Sequence, residues 1–174
     1  MICPYCSHDN IQGVDVCEDC GQDLTHYDRP RGRSPIEHTM MRESLERLEP
    51  KTPVMVPPST TVAQAIAILC EKRIGCVLVG EDGVASGIFS ERDVLLRVVD
   101  RYDEVANEPV SAYMTPRPSR LDVEAPIAYA VNRMSLGDFR HLPVTRDGKL
   151  VGIVSMRDIL RFLGEWYPDL IPAQ

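Results

Sequence analysis

Shifted against itself by 65 residues, the chain aligns positions 56–97 with 121–162 without a gap, and eleven of the 42 pairs are identical. The pairs include Val79/Val144, Asp82/Asp147, Gly83/Gly148, Gly87/Gly152, Ser90/Ser155, Arg92/Arg157 and Asp93/Asp158. A segment that recurs in register folds twice in the same way, so the architecture follows from what one copy forms. In the first copy, 54–56 reads as a short strand and 61–72 as a helix with Val62, Ala65, Ile66 and Leu69 on one face. Residues 76–79 are a wholly apolar strand, Glu81-Asp82-Gly83 a turn, 86–89 a strand, and Ser90 opens a helix to about Tyr102. The second copy repeats this order, with a helix over 126–136, strands near 142–144 and 150–154 around the turn Asp147-Gly148, and a helix from Ser155. The expected fold class is α/β in the α+β sense, as two β-α-β-β-α units. Neither covers both faces of so small a sheet alone, so the two are expected to pack with pseudo-twofold symmetry.

The remaining residues form a small appendage. Cys3, Cys6, Cys17 and Cys20 make a Cys-x2-Cys-x10-Cys-x2-Cys pattern in a short polar segment. Two residues between thiolates let one tight turn aim both sulfurs at one ion, and two such turns complete a four-sulfur shell. Gly21 suits a left-handed position after the second turn. Four cysteines leave no open coordination position, so the role is read as structural, in a shell typical of zinc with iron in a rubredoxin-like site as the rival. His8 and His26 are surplus to the set. Disulfides are disfavoured, because no secretory signal precedes the pattern. The segment resembles short zinc ribbons of the form Cys-Pro-x-Cys followed by Cys-x-x-Cys-Gly, and this resemblance implies zinc in preference to iron.

The expected organisation is a ribbon over 1–28, a linker over 29–35, a leading helix over 36–49, repeats over 50–108 and 109–165, and a tail over 166–174. Arg29-Pro30-Arg31-Gly32-Arg33 reads as a tether. Ser34, Pro35 and Glu37 then stand at the cap, first-turn and third positions of a helix carrying Ile36, Met40, Met41, Leu45 and Leu48, ended by Pro50 and Pro53. Cys70 and Cys76 fall in apolar patterns and are read as core thiols. Trp166 and Tyr167 are read as packing on the core.

The stretches Ile74-Gly75-Cys76-Val77-Leu78-Val79 with Gly87-Ile88-Phe89-Ser90-Glu91-Arg92-Asp93, and Arg140-His141-Leu142-Pro143-Val144 with Gly152-Ile153-Val154-Ser155-Met156-Arg157-Asp158, resemble the CBS domain, named for cystathionine β-synthase. The tandem resembles a Bateman module over roughly 50–165. The resemblance implies a regulatory pair, not an enzyme, whose cleft takes adenosine-containing ligands such as AMP, ADP, ATP, NAD or S-adenosylmethionine. It also implies a homodimer that signals to a protein partner, whose identity the residues do not name.

The same residues have a physical reading. Ser90 and Ser155 sit at strand-to-helix junctions, where free amides and the positive helix end favour phosphate. One turn on, Asp93 and Asp158 place a carboxylate where it accepts hydrogen bonds from a ribose diol. Arg92 and Arg157 supply countercharge, and Arg140 or His141 reaches phosphate in the second site. Cys76, Val77, Leu142 and Pro143 offer strand edges to adenine. Ser-x-x-Asp is equally an ordinary capping box. Two copies in register, each with Gly three residues before Ser and Arg before Asp, favour the ligand. The second copy has Arg140-His141 where the first has Gly75-Cys76, so the second site is expected to be the tighter.

Charge narrows the classes. The net charge is -7, and residues 1–28 hold six acidic and no basic residues. Nucleic acid is therefore disfavoured as a partner, which weighs against a DNA-binding regulator. No apolar run approaches the roughly 20 residues of a membrane span, so a cytoplasmic protein is expected. His141 has no partnered nucleophile or acidic dyad, so no enzyme is expected. A metal-bearing adaptor whose repeats are only a scaffold is the alternative.

Overall fold

The computed structural model describes residues 1–11, 14–24, 34–81 and 83–168. The chain divides into two compact units, one of Met1–Pro50, Leu121–Leu142 and Val154–Gln174, the other of Lys51–Arg120 and Pro143–Ile153.

The first copy forms β1 (Met55–Val56), α2 (Val62–Lys72), β2 (Cys76–Glu81) and β3 (Val84–Ser90), following a leading helix α1 (Pro35–Arg42). β1 runs parallel to β2, β2 antiparallel to β3, and β3 antiparallel to the short β4 (Thr115–Pro116). The apolar run at 76–79 becomes a strand buried at every residue to Gly80, while β3 alternates, with Gly87 and Phe89 inward. Val77, Val79, Phe89, Val62 and Ala65 form the core with Val98, Val105 and Val110. α2 begins in a reciprocal capping box, Thr61 Oγ1 accepting from Gln64 N at 3.2 Å and Gln64 Oε1 from Thr61 N at 3.1 Å.

The β2–β3 ladder slips between Val79 and Gly80. A Cβ at Gly80 would stand 2.0 Å from the Val84 carbonyl oxygen, so the backbone itself would have to move. Gly80→Ala is expected to cost about 1–3 kcal/mol and lower the melting temperature. An unchanged thermal transition would show that the slip relaxes freely.

The second copy forms β5 (Leu121–Asp122), α5 (Ile127–Gly137), β6 (His141–Arg146), β7 (Lys149–Ser155) and α6 (Met156–Trp166), with sheet order β5-β6-β7. Its likeness to the first copy extends to detail. β3 and β7 share one burial pattern. α2 and α5 both end on a left-handed non-glycine residue, Arg73 and Asp138, each at φ 51°. In both, the following amide closes back onto the helix, Ile74 N to Leu69 O at 3.1 Å and Phe139 N to Met134 O at 3.2 Å. Asp147 and Gly148 both have positive φ, the requirement of a type I′ hairpin turn. The copies also exchange their leading segments. Lys51 bridges Ile153 of β7, and Thr115 pairs with Ile88 of β3, the residue equivalent to Ile153.

Four expectations are corrected. The leading helix stops at Arg42 and not near 49. Glu43 turns extended, its carbonyl accepts from Ile127 N at 2.9 Å, and Leu45 N donates to Ala125 O at 2.9 Å. Leu45–Leu48 then makes a separate 3-10 turn with both leucines buried. The helix opening at Ser90 is not continuous. α3 (Glu91–Asp93) passes into a π turn over Val94–Val98, a 3-10 turn over Val99–Arg101, and α4 (Tyr102–Val105). The β-branched Val94, Val98 and Val99 weaken α-helix in this stretch. Cys70 is exposed, because the packed face of α2 is Val62, Ala65 and Leu69. Trp166 ends α6 instead of opening a tail, its ring centroid 5.6 Å from that of Phe162. Tyr167 follows, its hydroxyl donating to Pro35 O at 2.9 Å and lying 2.6 Å from Thr39 Oγ1. The tether over 29–33 and His26 lie outside the described residues. Among the described residues, no helix is long and apolar enough to cross a membrane.

Candidate ligand and metal sites

Both Ser-x-x-Asp motifs adopt one geometry. Ser90 and Ser155 are extended N-cap residues. Ser90 N and Oγ donate to Asp93 Oδ2 at 2.9 and 2.7 Å, and Ser155 N and Oγ donate to Asp158 Oδ2 at 2.8 and 2.6 Å. The aspartates are only 6% and 3% exposed. The capping hydrogen bonds therefore form in both copies, with each serine hydroxyl turned to its own aspartate. A carboxylate has about four lone-pair positions, and in each copy the serine takes two of them. One helix-start amide in each copy is already committed, Glu91 N to Gly75 O and Met156 N to Arg140 O, both at 3.0 Å.

The second carboxylate oxygen distinguishes the copies. Asp93 Oδ1 accepts from Thr115 Oγ1 at 3.2 Å and lies 3.3 Å from Arg97 Nη1. Arg97 is anchored in turn on the Tyr113 and Met114 carbonyls at 2.9 and 3.0 Å. Asp158 Oδ1 lies 3.2 Å from Arg161 Nη2. Thr115 arrives from a segment 22 residues away, and nothing local to Ser90 signals it.

The other expected residues divide by exposure. Arg92, Arg140 and Arg157 are exposed and His141 half-buried. Cys76, Val77, Leu142 and Pro143 are buried in β2 and β6, so their main chain, not their side chains, is what an adenine ring could meet. Cys76 pairs with Ser90 across the ladder. Burial, then the Glu91 and Asp93 carboxylates, push its thiol up to about 12. An alkylating reagent at pH 8 is therefore expected to modify Cys70 in the native protein and spare Cys76, read by peptide mass mapping. Equal modification would contradict this burial.

A cleft of about 610 Å³ opens in the unit that holds β1 to β4, large enough for a small organic ligand. Arg117 and Arg120 line it from the link after β4, and Lys149 from the start of β7, beside Ser86 and Thr145. Among the described residues that line it, three are cationic and none is acidic. Of the expected residues only Pro143 lines it. The other lining residues were missed because they come from three separate segments, with Arg117-Pro118-Ser119-Arg120 as the sole local hint.

The four ribbon sulfurs lie within 4.8 Å of one another, with Cys6–Cys17 at 3.5 Å and Cys3–Cys20 at 3.7 Å. Zinc–sulfur bonds of about 2.3 Å in a tetrahedron place sulfurs roughly 3.8 Å apart, so the set fits that ion. The Cys3–Cys6 and Cys17–Cys20 loops share one turn geometry. Ser7 N donates to Cys3 O and Gly21 N to Cys17 O, both at 2.9 Å, and Ser7 and Gly21 are left-handed at φ 65° and 73°. Burial opposes ionisation of Cys17, yet the amides of Cys20 and Asp19 and the Asn10 side chain bring its thiol down to about 6. Asn10 is buried, donates to Cys17 Sγ at 3.5 Å and accepts from Glu18 N at 2.9 Å, a supporting role that spacing did not reveal. His8 is exposed and outside the cluster.

Comparison with known proteins bears on both repeats. Residues 45–100 and 110–165 each match the CBS domain. The CBS domain-containing protein CBSCBSPB1 of Arabidopsis thaliana is 27% identical over 154 residues, covering 88% of this chain and 28% of that protein. The chain spans about a quarter of the length of the plant relatives it matches. A solved CBS-domain containing protein from Agrobacterium tumefaciens superposes with a TM-score of 0.63 at 32% identity, over 68% of this chain and 94% of that one. CBSX2, solved in complex with AMP, superposes with a TM-score of 0.58 at 26% identity, over 71% of this chain and 97% of that one.

Proposed function

This chain belongs to the CBS-domain family, and from that premise we propose that it is a non-enzymatic regulatory module that binds an adenosine nucleotide and reports its presence to a protein partner. AMP, ADP and ATP are the first candidates, with NAD and S-adenosylmethionine beside them. The observation that carries this reading is the buried aspartate, Asp93 and Asp158, held in both copies by the serine three residues before it. A carboxylate so oriented suits a ribose diol. In this reading Cys76, Val77, Ser90, Arg92 and Asp93 serve the first site, and Arg140, His141, Leu142, Pro143, Ser155, Arg157 and Asp158 the second. The cleft with Arg117, Arg120 and Lys149 suits phosphate groups. The complex of CBSX2 with AMP supports the ligand class.

Zinc is the proposed metal of Cys3, Cys6, Cys17 and Cys20, and its role is structural. The organisation read above, with a ribbon over 1–28 and repeats over 50–108 and 109–165, and a cytoplasmic location belong to the same proposal. So does a homodimer. Leu95, Leu96, Val99 and Tyr102 stand exposed along the stretch from the π turn into α4, an apolar surface that a second copy would cover. Sedimentation is expected to give a dimer at micromolar concentration, and Leu96→Glu to shift it towards monomer. A monomeric wild type, with and without nucleotide, would remove this part.

Calorimetry of the full chain against AMP, ADP, ATP, NAD, S-adenosylmethionine and adenosine tests the function. Saturable binding of at least one nucleotide is expected, and silence with all of them would overturn the reading. The scaffold-only adaptor is the second reading, favoured by the capping bonds that satisfy Ser90 and Ser155 without a ligand.

A further inference from the structure

α5 carries one charged residue, Arg133, and it is only 4% exposed. Its guanidinium does not point to solvent. Nε donates to the Pro4 carbonyl, and Nη2 donates to Ser7 Oγ at 2.6 Å. Both acceptors flank Cys6 in the first cysteine turn. Ser7 holds the left-handed position that glycine takes in the second turn, and it brings there a hydroxyl that glycine lacks. These contacts lie within one compact unit, so the ribbon read as tethered is also docked.

A guanidinium keeps its proton in a protein, and burying it costs stability unless acceptors and opposite charge compensate. Four thiolates around a divalent ion leave a net charge of two minus beside it. Without the ion, a segment this small has neither that charge nor a core sufficient to hold the Pro4 and Ser7 acceptors in place.

We propose that the metal-loaded ribbon is a clamp on the second repeat, with Arg133 as the positioning residue that joins the first cysteine turn to α5. The proposal rests on the reading that the four cysteines bind zinc. By linkage, zinc binding stabilises α5, and an ordered α5 tightens zinc. α5 packs against α6, whose first turn carries Asp158, so the metal state of the ribbon reaches the second repeat's ligand motif.

The test uses the full chain as wild type, Arg133→Met and Arg133→Lys. Native mass spectrometry counts zinc, competition with a chromophoric chelator ranks its retention, and hydrogen exchange follows the amides of α5 with zinc present and removed. Wild type is expected to hold one zinc. Arg133→Met is expected to yield it to the chelator roughly 10-fold more readily, with Arg133→Lys between. Removing zinc from wild type is expected to speed exchange in α5 and leave α2 unchanged. One bound zinc with α5 exchange indifferent to its removal overturns the clamp and leaves the metal reading standing. No zinc in zinc-replete wild type overturns both. Should Arg133→Met fail to fold, the wild-type exchange comparison decides alone.

Discussion

Cys17→Ser is expected to take the protein from one zinc per chain to none, the largest single loss open to it. Cys17 is buried, its thiol is the one drawn down to about 6, and Asn10 supports its sulfur. A serine hydroxyl does not ionise near neutral pH and is no substitute in a sulfur shell. Structural zinc contributes about 10–16 kcal/mol of apparent binding free energy in small zinc-dependent folds. Here the alternative support is slight, since the ribbon core is Cys3, Cys17 and Leu24 with Met1, Cys6 and Val14 around them. Elemental analysis is expected to find no stoichiometric metal, and hydrogen exchange to show residues 1–24 unprotected. β2 and β3 are expected to stay protected, because Val77, Val79 and Phe89 belong to a separate core. A variant that keeps one zinc would refute the four-thiolate site. Preferential iron in zinc-replete wild type would replace zinc with the rival ion.

Asp158→Ala is expected to act twice, once on the fold and once on the ligand. Its Oδ2 takes two hydrogen bonds from Ser155 at 2.8 and 2.6 Å, and truncation leaves that amide and the Arg161 pairing without it. Loss of a cap of this kind costs about 0.5–2 kcal/mol and lowers the melting temperature. If the remaining acceptor capacity holds a ribose diol, nucleotide affinity at the second site falls by a further ~1.5–3 kcal/mol, roughly 10- to 150-fold. Affinity is to be measured well below the transition, where the variant is folded. A 2′,3′-dideoxy nucleotide is expected to bind wild type comparably poorly, and the two losses not to add, since both delete one contact. Ser155→Ala separates the roles. It keeps the carboxylate, so AMP is expected to lose affinity and adenosine to lose little. If Asp158→Ala moves only the melting temperature, the aspartate is a cap and the scaffold reading takes its place.

Sequence alone determined the elements whose causes are local. The caps at Ser34, Ser90 and Ser155, the Asp147-Gly148 turn and the two cysteine turns each depend on groups no more than about four residues apart, and the 65-residue repeat is legible by comparing the chain with itself. The chemistry of these caps and turns is complete in the order of residues. Periodicity located α2, and the repeat carried that reading to α5 and α6. Tertiary structure decided what depends on partners far along the chain. The leading helix breaks at Arg42 because 123–127 offers its backbone other hydrogen bonds, a competition that apolar spacing does not encode. Cys70 faces outward because the packed stripe of α2 is narrower than its apolar stretch. Thr115 at Asp93, Arg133 at the first cysteine turn, and Arg117, Arg120 and Lys149 around one cleft are all assembled across at least 22 residues. Such contacts leave no period and no spacing to read, because what selects them is burial and the pairing of polar groups once the elements have packed.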